Sequence, residues 1–321
     1  MRTVYLGTSD FAATVLSRVA ASPHAPALVV TPPDSRQGRG RKVSPPPVAE
    51  LAKELGTDLL QAASVNDEDA LARIRAAEPE AILVCAFGQL IREPLLSLTE
   101  ILNVHPSLLP RWRGAAPIER AIMARDPKTG VCVMRLTAGL DSGPVALRAE
   151  VELGDDEDYG ALAPRLAALG GVLLVEALDL LADGTLAFTE QDDAAATYAE
   201  KIDGAERRLD LTQPAADLAA KVRALTPHIG AYLELEGGER LGVRRASSSA
   251  PTRPAAVDAA DGDAGGAAPP ALAAGQAAVV DGALFVGTGD GALRLDVVQP
   301  AGGKAMPVDA YLRGRPVPRL A

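Results

Sequence analysis

The chain has 321 residues, a formal charge of −10 at neutral pH, and 48% hydrophobic residues of which few are aromatic. That length supports a sizeable core split between two domains, and the negative charge excludes indiscriminate nucleic-acid binding, which needs a net basic surface. No apolar run is long enough to cross a bilayer, and the two cysteines, Cys85 and Cys132, offer neither a disulfide framework nor metal-ligand spacing.

Met1-Arg2 runs directly into an apolar strand at residues 3–6, with no charged-then-apolar leader, so a cytoplasmic chain is expected. Gly7-Thr8-Ser9-Asp10 then turns into a helix with Phe11, Val15, Leu16 and Val19 on one face. Residues 27–31 read as a second strand and 48–55 as a helix. Between them lies Arg36-Gln37-Gly38-Arg39-Gly40-Arg41-Lys42, four cations in seven residues. Its glycines and the following prolines make it a loop suited to reaching phosphates, although a short basic run is commonly just a solvated one.

Asn66 is expected to cap a helix ending at Ala77. Residues 81–86 and 101–104 are buried strands, and Pro117 opens a helix through Ala124. Strands follow at 131–137 and 145–151, then a long helix from Tyr159 to Ala182. The alternation predicts an α/β fold, a Rossmann-like, mostly parallel sheet covered on both faces. No G-x-G-x-x-G follows the first strand, which argues against a nicotinamide site. Ligands in such sheets bind beyond the carboxyl ends of the strands. Gly7-Thr8, Ala86-Phe87-Gly88 and the stretch from Asn103 to Pro110 all fall at that edge.

Past Gly184 the rhythm changes. A helix is expected at 209–225, followed by short β-like segments at 231–235, 240–244, 277–280, 283–286 and 293–298, the pattern of a small β-barrel or sandwich. Residues 247–274, rich in Ala, Gly, Pro and Asp, read as a flexible surface insertion.

The chemistry concentrates in Asn103-Val104-His105-Pro106-Ser107-Leu108-Leu109-Pro110, continuing through Arg111-Trp112-Arg113-Gly114. Asn103 and His105 are two residues apart, so extended backbone projects both to one face. An amide donor beside an imidazole is the minimum equipment for acyl transfer. Gly139-Leu140-Asp141-Ser142-Gly143 adds a carboxylate, which a plain turn aspartate would also explain. His24 and His228 have no partner nearby in sequence and are read as structural or exposed.

These residues resemble the methionyl-tRNA formyltransferases, which use 10-formyltetrahydrofolate. The pieces carrying the likeness, in order, are Leu6-Gly7-Thr8-Ser9-Asp10-Phe11-Ala12, Gly38-Arg39-Gly40-Arg41-Lys42, Asn103 through Ile118, Gly139 through Gly143, Thr197 through Ile202, and Gln299 through Met306. The resemblance implies a Rossmann-like catalytic domain at 1–187, a linker at 188–204 and an OB-like, tRNA-holding barrel at 205–321. It implies a catalytic set of Asn103, His105 and Asp141, folate contacts from Phe87, Gly88, Ser107, Leu108, Leu109 and Pro110, and tRNA contacts from Arg36, Arg39, Arg41 and Lys42. It implies 10-formyltetrahydrofolate as co-substrate without a metal, initiator methionyl-tRNA as acceptor, and a monomer without membrane attachment. An N-formyltransferase acting on an amino-sugar nucleotide, a formyl-folate hydrolase, or a non-catalytic folate- or RNA-binding module are the rival readings. Ser9 stands where proline is usual, Phe87 where tyrosine is usual, and His228 where tryptophan is usual.

Overall fold

The computed structural model describes residues 1–37, 42–248 and 272–321. The chain forms two compact units. One comprises Met1–Pro117, Lys128–Glu152 and Leu162–Glu200; the other comprises Ile118–Pro127, Leu153–Ala161 and Lys201–Ala321.

In chain order the elements up to residue 105 are β1 (Thr3–Gly7), α1 (Asp10–Ala20), β2 (Pro26–Thr31), β3 (Ser35–Gln37), β4 (Lys42–Ser44), α2 (Pro47–Leu55), β5 (Asp58–Gln61), α3 (Glu68–Ala76), β6 (Ala81–Cys85) and β7 (Glu100–His105). There follow β8 (Arg113–Gly114), α4 (Pro117–Met123), β9 (Lys128–Arg135), β10 (Val145–Glu152), α5 (Tyr159–Ala182) and β11 (Tyr198–Ala199). Every residue of β1 and β6 is buried, the continuous apolar pattern of strands covered on both faces. In α1, Ala12, Val15, Leu16 and Val19 form the buried stripe, and the Ser9 hydroxyl accepts from the Ala12 N–H. Serine is thus a functional N-cap where the resemblance leads one to expect proline.

Seven strands make one sheet in the order β10-β9-β7-β6-β1-β2-β5. Pairings from β5 through β7 are parallel, while β9 runs antiparallel to both β7 and β10. Because β1 lies between β2 and β6, the crossovers diverge on its two sides and open a crevice at the carboxyl ends of β1 and β6. There the Thr8 hydroxyl donates to the Phe87 carbonyl across 2.8 Å. Val4, Leu6, Leu28, Val30, Ile74 and Ile82 belong to the core packed against this sheet.

Asn66 does not cap α3. Its side chain donates to the Leu90 carbonyl at 2.8 Å and accepts from the Arg92 N–H at 2.9 Å, which fixes the loop after β6, and the helix starts at Glu68 behind Asp67. His24 is buried, with Nε2 2.8 Å from Asp179 Oδ1, a structural arrangement. The backbones of Arg36 and Lys42 lie in the β3–β4 hairpin; Arg39 and Arg41 lie outside the described residues, as do positions 249–271 of the insertion.

The second unit holds α6 (Ala215–Leu225), β12 (Ala231–Glu234), β13 (Arg240–Ser248), β14 (Ala277–Val280), β15 (Ala283–Gly287), β16 (Ala292–Gln299), β17 (Met306–Pro307) and α7 (Val308–Gly314). Its antiparallel sheet runs β12-β13-β16-β15-β14, with β17 on β16. Leu218, Val222, Leu241, Val243, Leu284 and Leu295 are among its core residues. The helix expected from residue 209 begins only at Ala215. Asp210 instead accepts from the Thr212 N–H and hydroxyl, closing a turn ahead of Pro214. His228 has partners remote in sequence: it stacks on Tyr159 with ring centroids 3.7 Å apart, and its Nε2 lies 3.0 Å from Glu119 Oε1. No helix among the described residues is long and apolar enough to cross a membrane.

Burial pushes the Cys85 thiol up to about 12 and the Cys132 thiol up to about 11. The thiolate is the reactive form, so neither cysteine should be alkylated by iodoacetamide at pH 8 in the folded protein. Both should react once guanidinium unfolds it. Mass spectrometry reads the outcome, and labelling under native conditions would show that these strands open.

Candidate active site

Strand β7 ends in the site. Its register sets Asn103 opposite Val84 and Met134, and His105 opposite Cys132, so both side chains project to one face. Both residues are buried. The Asn103 carboxamide has no hydrogen-bond partner among the described residues. Among the described residues, the side-chain polar atoms cut off from solvent without a partner are Arg223 Nε and Thr288 Oγ1, so the Asn103 amide stays reachable and its N–H can donate to an incoming oxygen.

His105 Nε2 lies 2.8 Å from the Trp112 carbonyl. A carbonyl only accepts, so Nε2 carries a proton, and Nδ1 is the nitrogen left to exchange one. Nδ1 faces Asp141 Oδ2 at 3.6 Å, close enough for charge attraction but too long for a hydrogen bond. The resemblance implies Asp141 as the partner of His105; the hydrogen bond that orients the ring comes instead from Trp112. The Asp141 carboxylate accepts the Gly114 N–H across 2.8 Å.

Asp141 stands at φ +45, Trp112 at +64 and Ala86 at +43, half of the six non-glycine residues of positive φ among those described. Each holds a left-handed conformation that costs roughly 1–2 kcal/mol for an L-residue. Around Asp141 the fold leaves no freedom for side chains: a Cβ on Gly143 would sit 2.0 Å from the Arg135 carbonyl oxygen. Gly114, at φ +117, would bring a Cβ to 2.8 Å from the Ala199 oxygen.

That close approach is the pairing of β8 with β11, parallel, Arg113 opposite Tyr198 and Gly114 opposite Ala199. Trp112 N–H donates to Thr197 Oγ1 and Arg113 N–H to the Thr197 carbonyl, both at 2.9 Å. The Arg113 guanidinium is buried, at 3% exposure, and donates to Asp193 Oδ1 at 2.7 Å and to Gln191 Oε1 at 2.9 and 3.0 Å. Sequence reasoning placed no weight on Gln191 or on the backbone of Trp112. Gln191 has no local motif, and a backbone carbonyl leaves no signature in side-chain identity.

The loop after β7 alternates. Ser107 and Leu109 are buried; Leu108 and Pro110 are partly exposed. Ser107 Oγ donates to the Arg111 carbonyl at 2.6 Å, and Leu109 packs with Cys132 and Met134. Phe87 is buried in the sheet core, whereas Gly88 follows at φ +79 in the turn after β6. Leu90 and Leu140 stand out as apolar side chains 63% and 62% exposed, one in the loop after β6 and the other beside Asp141. A cavity of about 330 Å³ lies along the same loop, lined in part by Leu109, Pro110, Arg148 and Gln191. Among the described residues no group of three His, Cys, Asp or Glu is placed to hold a metal ion. The site therefore brings together Asn103, His105, Asp141 and the 107–110 loop at the carboxyl edge of the sheet, with exposed apolar surface in the flanking loops.

Comparison with known proteins matches the formyl transferase family at residues 1–178 and the formyl transferase C-terminal domain at residues 201–316. Over 320 residues the chain is 41% identical to a methionyl-tRNA formyltransferase of Phenylobacterium zucineum, covering 99% of this chain and 98% of that protein. It is 42% identical over 318 residues to one of Xanthomonas campestris, covering 98% of each. Among solved structures, an N-formyltransferase from Helicobacter canadensis, determined with folinic acid and dTDP-3-aminofucose, superposes with a TM-score of 0.63 at 10% identity, covering 92% of this chain and 98% of that one. HypX from Aquifex aeolicus, determined with tetrahydrofolic acid, superposes with a TM-score of 0.58 at 17% identity, covering 97% of this chain and 47% of that one.

Proposed function

The chain belongs to the formyl transferase family, and from that membership we propose that it transfers the formyl group of 10-formyltetrahydrofolate to the α-amino group of initiator methionyl-tRNA. The observation that carries this reading is identity above 40% to methionyl-tRNA formyltransferases along the whole chain, both family domains included. The amino-sugar alternative shares the fold, at 10% identity. A run of four cations in seven residues, at 36–42, favours a polyanionic acceptor over a sugar nucleotide.

In the proposed mechanism the amine nitrogen attacks the formyl carbon, a C–N bond forms, and the carbonyl electron pair moves onto oxygen. The Asn103 amide donates to that oxyanion, and one such donor is worth about 3 kcal/mol. The proton lost by the amine passes to the pair formed by His105 Nδ1 and Asp141. Collapse breaks the bond from the formyl carbon to N10, whose electron pair takes up the proton. The products are formyl-methionyl-tRNA and tetrahydrofolate.

The partly exposed Leu108 and Pro110, with the backbone of Phe87 and Gly88, suit the flat pterin and aryl rings of the folate. Ser107 and Leu109 support that surface from beneath. Arg36, Arg39, Arg41 and Lys42 would meet tRNA phosphates. The proposal assigns catalysis to residues 1–187 and tRNA holding to 205–321, joined by 188–204, in a cytoplasmic monomer that needs neither metal nor membrane.

Formyl transfer from 10-formyltetrahydrofolate should be seen with charged initiator tRNA, and not with uncharged tRNA or an amino-sugar nucleotide. Turnover of the sugar alone would keep the site and overturn the acceptor. For the basic run, Arg39→Ala should raise KM for tRNA and lower the salt slope of tRNA binding by about one, the signature of a lost phosphate contact. An unchanged slope would remove Arg39 from the interface.

A further inference from the structure

Beyond the three residues given catalytic roles, one side chain joins their supports. Gln191 Nε2 donates to the Asp141 carbonyl at 2.8 Å and to the Gly143 carbonyl at 2.6 Å. Its Oε1 accepts from Arg113 Nε and Nη2 at 3.0 and 2.9 Å. A carboxamide has two N–H donors and two acceptor lone pairs, and all four are used. The group also has only one possible orientation: turned over, it would set N–H against guanidinium N–H and its oxygen against two carbonyl oxygens.

The geometry points to Gln191 as a positioning residue for formyl transfer, one that holds the backbone carrying Asp141 in register with His105. This rests on the reading of Asp141 as part of the catalytic set. Asp141 is gripped at two points by adjacent residues of β8. Gly114 N–H takes its carboxylate directly, and Arg113 reaches its carbonyl through Gln191. The carbonyl of the preceding residue, Trp112, holds the His105 ring. One tripeptide therefore sets both partners of the proton transfer, and Gln191 is the only side-chain link in that chain of contacts between Arg113 and the Asp141 turn among the described residues. Without its two N–H donors, the left-handed Asp141 loses the bonds that keep its carbonyl and that of Gly143 facing inward, and its carboxylate drifts from the 3.6 Å separation to His105 Nδ1.

Gln191→Glu isolates this role. The carboxylate keeps the shape and the bonds from Arg113, but presents oxygen instead of N–H to the two carbonyls. Formylation of charged initiator tRNA should lose about tenfold to a hundredfold in kcat, the range for a misplaced catalytic group, while KM for either substrate changes less than twofold. The second readout needs no turnover. The chain has three histidines, so the ring signals of His105 can be assigned by NMR against His105→Ala. They should move in Gln191→Glu in the direction they move in Asp141→Asn, while those of His24 and His228 stay in place. A wild-type kcat, a raised KM with kcat intact, or a His105 signal that does not follow Asp141→Asn would each overturn the inference. A wild-type protein that does not formylate charged tRNA would instead overturn the function proposed above, with the NMR comparison still deciding whether Gln191 positions Asp141.

Discussion

The site depends on the backbone of Trp112, Arg113 and Gly114. Two of these three residues have positive φ, +64 at Trp112 and +117 at Gly114, a conformation that must be held from outside. The strap at Thr197–Ala199 does this through the β8–β11 pairing and the Thr197 hydroxyl. Once held, the tripeptide orients the His105 ring, receives the Asp141 carboxylate and anchors the buried Arg113. The local strain is thus tied to the arrangement of the groups that would perform the chemistry. Backbone donors and acceptors suit such a task because they lose no rotamer freedom when the substrate arrives.

The sheet supplies the other half. Crossovers diverging around β1 leave a crevice at its carboxyl edge, and β7 ends beside it with Asn103 and His105 on one face. The apolar side chains of Leu90 and Leu140 stay exposed in the loops after β6 and beside Asp141.

Much of this was legible in the sequence because short-range patterns carry it. The apolar runs of β1 and β6, the stripe of α1 and the two-residue spacing of Asn103 and His105 depend only on neighbours, and the structure has each of them. What escaped depends on distance along the chain. Asn66 looks like a helix cap, but its partners are at positions 90 and 92, where a loop needed closing. Gln191 meets carbonyls at 141 and 143 and a guanidinium at 113, none of which a local window contains. Asp58–Gln61 is too short and too polar to stand out as a strand, yet it pairs along β2 as the sheet edge. The inward turn of Leu109 follows from packing against Cys132 and Met134, and that of Ser107 from its bond to the Arg111 carbonyl, neither of which a motif encodes.

The most direct test of the account is the single-turnover rate of formyl transfer in His105→Ala, at saturating 10-formyltetrahydrofolate and charged initiator tRNA, beside the urea midpoint of the same variant. The account predicts a rate lower by about a hundredfold to ten-thousandfold, the contribution of a positioned acid–base group, with a midpoint close to that of the wild type. A rate near the wild-type value in a folded variant would contradict it, and would place the proton transfer outside the site built around β7.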